Sequence, residues 1–197
     1  IEGLSYGFKE KPPGLYASTI LRLLGMREAL KEKLRGVKDE AEIRILRERE
    51  RVIKILTNAI YGYAGWSGAR WYSREVAEAT AHLGRQAITS VIGRCGKLGL
   101  KVVYGDTDSV FVRREPEKVT ALIEWAKTTL GLEVKIDKVY QRLIFTESKK
   151  KYAGLTESGK VDIVGMESVR SDWPQVARNA QREILTLTLE GAPSHTV

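Results

Sequence analysis

Apolar residues recur at helical spacing along the first half of the chain, and shorter apolar runs bounded by turn residues dominate the second half. Residues 1–14, rich in Gly and Pro, read as an irregular opening. Ser18 or Thr19 can cap a first helix running to about Arg35, with Gly36 as its stop. Its stripe is Ile20, Leu23, Leu24, Leu30 and Leu34, and Arg27 and Lys31 fall inside that stripe. Either their stems pack while the charged heads reach water, or they face a cleft that holds phosphate. Asp39 and Glu42 suit the cap and third position of a second helix, expected to end at Tyr61 and Gly62. Ile45, Val52, Ile55, Leu56 and Ala59 take one side of it. Lys54, Asn58 and Tyr61 take another, with Arg47 and Arg51. Two such helices across a tight turn make an αα-hairpin.

Gly62–Trp71 reads as a compact aromatic loop, after which Ser73 can cap a third helix to about Lys97. Its core face is Val76, Ala79, Leu83, Ala87 and Val91, and His82 beside that face reads as structural. Gly96 and Gly99 should break it. Lys101–Tyr104 and Ser109–Val112 are β-branched and aromatic runs flanking Gly105-Asp106-Thr107-Asp108, which has turn chemistry. The pattern predicts a β-hairpin with Asp106 and Asp108 at or beside its tip. Pro116 opens an amphipathic helix to about Leu130 through Val119, Leu122, Ile123 and Trp125. Glu133–Phe145, containing Asp137, reads as strands. Tyr152–Leu155 and Val161–Val164 read as a hairpin, and Pro174 opens a last helix to about Glu190. Gly191–Val197 should fray. The fold class is α+β.

Composition narrows the partners. A net charge of +8 and a pI near 9.5 favour an anionic partner, nucleic acid first. The lone Cys95 excludes an internal disulfide framework and fits a reducing, cytoplasmic setting. No apolar run approaches a membrane span. The chain starts at Ile1 without Met, so a fragment of a longer protein is expected.

The hairpin tip carries the chemistry. Two carboxylates two residues apart crowd like charges and call for a counter-cation. Mg²⁺ prefers carboxylate oxygens together with substrate phosphates. A bare D-x-D is also met as a solvated turn, or as the metal-binding motif of a nucleotide-sugar transferase. Ser148–Tyr152, with Lys149, Lys150, Lys151 and then Tyr152, suits contact with a phosphate backbone and equally suits a solvated loop.

Four stretches, in order, resemble family B (polymerase-alpha-like) DNA polymerases of archaeal type. Pro12-Pro13-Gly14 precedes a helix with Arg27 and Lys31 that is similar to the first fingers helix. Lys54-Ile-Leu-Thr-Asn58-Ala-Ile-Tyr61-Gly62 resembles motif B, Tyr104–Ser109 resembles motif C, and Lys149–Tyr152 resembles the K-K-x-Y motif. Met166–Trp173 is similar to the segment that follows in archaeal members. The resemblance implies a palm, with an antiparallel sheet and packed helices, plus a helical-hairpin fingers subdomain. It divides the chain into an opening segment at 1–13, fingers at 14–66, palm at 67–147, and the palm–thumb boundary with the start of a thumb at 148–197.

It also implies roles. Asp106 and Asp108 are the catalytic metal carboxylates, with Asp137 a third acidic position, and two Mg²⁺ ions serve the complete enzyme. Arg27, Lys31, Lys54, Asn58 and Tyr61 bind the deoxynucleoside triphosphate. Thr107, Lys149, Lys150, Lys151 and Tyr152 face primer–template DNA. The remaining partners are the rest of the polymerase: N-terminal and exonuclease domains, motif A palm strand and thumb. Ala59 stands where motif B usually has Ser. No motif A aspartate is present, so the fragment alone is expected to be inactive. A nucleotide-sugar transferase would call for a G-x-G-x-x-G fingerprint, which the chain lacks. A nucleic-acid-binding module without chemistry is the other alternative.

Overall fold

A computed structural model describes residues 3–9 and 11–193. The chain divides into two compact units, 1–87 and 88–197. The helices and antiparallel sheets match the α+β class expected.

In the first unit, α1 (Leu15–Gly36) and α2 (Glu40–Gly65) form the predicted hairpin. Asp39 caps α2 as expected, its carboxylate accepting the Glu42 N–H at 2.9 Å. Ser18 is no cap. Gly14 precedes α1, and the Ser18 hydroxyl donates back to the carbonyls of Gly14 and Leu15. Gly62 does not stop α2, which continues to Gly65. There Gly65 faces the Cβ of Ala77 and the Ala64 carbonyl accepts the Ser73 N–H.

The inward face of α2 differs from the one expected. Leu46 and Ile53 are buried, with Glu50, Thr57 and Ile60 half-buried, whereas Ile45, Val52, Ile55 and Leu56 are all more than half exposed. The spacing of 46, 50, 53, 57, 60 and 64 is helical, but two of its members are polar. Both are satisfied: Thr57 donates to the Ile53 carbonyl at 2.7 Å, and Glu50 receives Arg27. On α1 the expected stripe holds, except that Leu24 is exposed.

α3 (Arg74–Lys97) starts at the expected cap, with Ser73 Oγ accepting the Val76 N–H at 3.4 Å. Leu83 is exposed, contrary to expectation, while Ala79 and Val91 are buried. Gly96 lies inside the helix, and Gly99, at φ 62°, makes the turn out of it.

In the second unit, β1 (Val102–Asp106) pairs antiparallel with β2 (Ser109–Val112), as the pattern predicted. α4 (Pro116–Leu130) ends on Gly131 in the left-handed region. Val91, Cys95, Leu100 and Leu122 form a core beneath this hairpin, joined by Val102, Val110 and Trp125. A second sheet orders β3 (Tyr140–Phe145), β4 (Tyr152–Thr156) and β5 (Val161–Val164), all antiparallel. The expected boundary at 147/148 falls in the connection between β3 and β4. α5 (Gln175–Glu190) covers this sheet through Leu185 and Leu189, which pack with Ala153 and Met166.

Glu133–Val139 is not strand, in contrast to the expectation. β4 ends at Thr156, opposite Tyr140, so earlier residues have no neighbouring strand to bond. Asp137 therefore lies in an exposed irregular segment. The expected fraying of the tail falls largely on 194–197, outside the described residues. Among the described residues, no helix is long and apolar enough to cross a membrane.

Candidate functional site

The β1–β2 pairing brings Asp106 opposite Ser109, which leaves Thr107 and Asp108 as a two-residue turn. Thr107 takes φ 46°, a left-handed conformation uncommon for a β-branched residue. Its hydroxyl donates to Asp106 Oδ1 at 3.1 Å, and the Ser109 hydroxyl donates to the Asp106 carbonyl at 3.3 Å. Asp106 is half-buried and Asp108 exposed. Both carboxylates thus stand at the tip of a hairpin whose other end is packed into the core.

Rings hold the hairpin to the second sheet. Tyr104 and Phe111 lie 5.7 Å apart and each meets Phe145, while Phe111 also meets Tyr140 and Tyr152. Gly154 is needed under this cluster, because a Cβ there would lie 2.4 Å from the Tyr140 ring. Burial and a hydrogen bond to Asp162 push the Tyr140 phenol well up, so it stays protonated. Burial opposes ionisation of Asp162, but hydrogen bonds from Lys138 and Tyr140, both at 2.6 Å, outweigh it and hold the carboxyl below its usual range.

The three lysines separate into different roles. Lys149 and Lys150 are exposed. Lys150 takes φ 64°, its backbone N–H donates to the Tyr104 hydroxyl at 3.0 Å, and its ammonium stands 3.8 Å from Asp106 Oδ2. The Lys151 side chain, only 27% exposed against 64% for Lys150, is paired with Glu167. Glu167 also accepts from Gln181 at 2.8 Å, and Gln181 accepts the Ser168 N–H. Hydrogen bonds from Gln181 and Lys151 lower the Glu167 carboxyl to about 2. Lys151 and the ring of Tyr152 are thus half-buried and already have partners within the chain, unlike Lys149 and Lys150.

Mg²⁺ is a hard cation, and the oxygen donors of Asp106 and Asp108 are of the kind it prefers. Asp137 does not join them: among the described residues there is no group of three or more acidic, His or Cys side chains fit to hold a metal.

The nucleotide-binding candidates lie on the hairpin of the first unit. Arg27 turns inward, and its Nε donates to Glu50 Oε1 at 2.5 Å. Lys31 pairs with Glu28, one turn away, at 2.7 Å. Lys54, Asn58 and Tyr61 are exposed or half-exposed on one flank of α2. At 100° per residue in two antiparallel helices, this is the flank that Lys31 shares, and Val52 and Leu56 lie on the opposite one.

Sequence reasoning missed Glu50, Tyr104 and Glu167. Glu50 was findable, since it lies three and four residues from Ile53 and Leu46 and an inward arginine calls for an inward acid. The partner of Tyr104 lies 46 residues on, and no local signal marks it.

The sequence profile described as DNA polymerase family B matches residues 2–195. DNA polymerase 2 of Aeropyrum pernix is 45% identical over 188 residues, covering 95% of this chain and 23% of that protein. The DNA polymerase of Archaeoglobus fulgidus is 37% identical over 191 residues, covering 95% of this chain and 24% of that protein. A solved structure of the family B DNA polymerase from the hyperthermophilic archaeon Pyrobaculum calidifontis matches at a TM-score of 0.75 and 39% identity, over 95% of this chain and 24% of that one. The chain spans about a quarter of the length of these relatives. With nearly its whole length matched, the chain belongs to DNA polymerase family B.

Proposed function

We propose that this chain forms part of the polymerising centre of a DNA-directed DNA polymerase, joining deoxynucleoside triphosphates to a primer by a two-metal mechanism. The observation that carries the reading is the pair of carboxylates, Asp106 and Asp108, raised on a hairpin tip beside an exposed lysine. Asp106 and Asp108 would hold Mg²⁺, which when bound neutralises charge on the phosphates and lowers the barrier to in-line displacement. Arg27, Lys31, Lys54 and Asn58 bind and orient the triphosphate, and Tyr61 packs near the base and sugar. Lys149 and Lys150 neutralise the duplex backbone. The contribution of the chain is positioning and charge compensation, the main demands of phosphoryl transfer.

The 197 residues alone should not extend a primer, because the motif A aspartate that the resemblance calls for is absent from them. Carried within a complete family B polymerase in place of the matching segment, they should support extension. In that setting Asp108→Ala should lower turnover on the order of 10³-fold or more, and Asp106→Ala should also impair it severely. Single-turnover extension assays decide this. Near-normal rates in both variants would overturn the reading.

A further inference from the structure

Lys150 is one of two residues other than glycine in the left-handed region, among those described. Such a conformation costs a lysine on the order of 1 kcal/mol, and it persists where the surroundings over-determine it. Here they do so from two sides. The Lys150 N–H is taken by the Tyr104 hydroxyl at 3.0 Å. Its carbonyl lies so close to Gly165, itself at φ 66°, that a Cβ on Gly165 would stand 2.1 Å from the oxygen. The connection around it is pinned as well, with the Thr146 hydroxyl donating to the carbonyls of Ser148 and Lys151, both at 3.2 Å. Tyr104 cannot shift to follow a moving loop, because its ring is wedged against Phe111 and Phe145.

We propose that Tyr104 is a positioning residue for nucleic-acid binding: its hydroxyl fixes the backbone of Lys150 so that the ammonium is held beside the hairpin tip, ready to meet a phosphate of the duplex. The inference rests on the polymerase reading for its ligand, and on the geometry alone for the latch. Lysine side chains are flexible and lose much rotamer freedom on binding. Fixing the backbone at φ 64° removes part of that loss beforehand and sets the direction of approach. The side chain is 64% exposed and its ammonium stands 3.8 Å from Asp106, a pairing loose enough to exchange that carboxylate for a phosphate. The hydroxyl therefore links the strand that ends in Asp106 to the lysine loop 46 residues further on.

Tyr104→Phe keeps the ring in its cage and removes only the oxygen. In the 197-residue chain, it should speed hydrogen exchange at the Lys150 amide by about fivefold or more, the equivalent of one ordinary hydrogen bond. The Ala153 and Ile144 amides, paired across the neighbouring strands, should stay protected. In a complete polymerase carrying this segment, Tyr104→Phe should weaken primer–template binding about threefold to fivefold and lower the salt slope by up to one phosphate contact. In a Lys150→Ala background the same change should have no further effect, because Tyr104 acts through that ammonium. An equal loss in both backgrounds would overturn the positioning role while leaving the DNA reading intact. No loss of duplex affinity in Lys150→Ala would overturn both. An unchanged Lys150 amide in Tyr104→Phe would overturn the latch whatever the DNA result.

Discussion

Glu50→Gln should move stability and nucleotide affinity in opposite directions. The Glu50 carboxylate receives the Arg27 Nε on the face where α1 meets α2, with side-chain exposures of 21% and 26%. Exposed pairs contribute about 0.2–1 kcal/mol, and removing one partner of a fully buried pair costs about 3–5 kcal/mol. This pair lies between those limits. Glutamine keeps the shape and an oxygen facing Nε, so the loss falls toward the lower end, about 1 kcal/mol of folding stability. The same change releases the guanidinium. A triphosphate gripping Arg27 then no longer competes with an internal carboxylate, and about 1 kcal/mol of relief corresponds to roughly fivefold tighter nucleotide binding. Denaturant unfolding of the chain measures the first effect. The nucleotide dissociation constant from pre-steady-state extension, in a complete polymerase carrying the segment, measures the second. If Glu50→Gln leaves nucleotide affinity unchanged or weaker, and Arg27→Ala also leaves it unchanged, Arg27 is a staple of the hairpin and no nucleotide ligand.

Other outcomes follow from the same geometry. Lys149→Ala should weaken duplex binding without regard to sequence and reduce the salt slope by about one, whereas Lys151→Ala should leave the slope nearly intact and loosen the single 3-10 turn at Glu167–Val169, read by hydrogen exchange. Lys54→Ala should raise the nucleotide KM or lower kcat with primer–template affinity nearly unchanged, and equal weakening of duplex binding would count against its fingers assignment. Because the Glu167 carboxyl is lowered from 4.5 to about 2, its contribution to stability is complete above pH 4.5 and fades as the pH falls toward 2; Glu167→Gln should flatten acid unfolding in that window. Leu122→Ala, at a buried position of the core under the hairpin, should cost about 2–5 kcal/mol in urea unfolding.

The elements most legible in the sequence were those with local punctuation. Asp39 with Glu42, Ser73 and the Gly105–Asp108 turn each place their own boundary, because the bond that defines it joins residues within four positions, and Pro116 does so through its fixed φ. The inward face of α2 was not legible, because hydropathy scores residues singly. Glu50 and Thr57 become acceptable inside only once Arg27 and the Ile53 carbonyl are counted as partners. Strand propensity likewise overstated Glu133–Val139, since a strand exists only where another lies beside it. At the candidate site, the two carboxylates and the exposed lysines could be named from spacing, but the division of labour among Lys149, Lys150 and Lys151 depends on partners 16 to 46 residues away.

The cage of Tyr104, Phe111, Tyr140, Phe145 and Tyr152 has an evolutionary consequence. It holds the hairpin by ring packing, at positions separate from the acids the hairpin presents. If Asp106 and Asp108 are the polymerising acids proposed above, the rings that hold the hairpin and the acids it presents are separate sets of residues. On that reading, a duplicated copy could exchange Asp106 and Asp108 for Asn or Ser and still keep its cage and its fold. In such a lineage drift would erode the tip before the rings, so a copy with an intact cage and altered positions 106 and 108 would be expected to fold without the proposed activity.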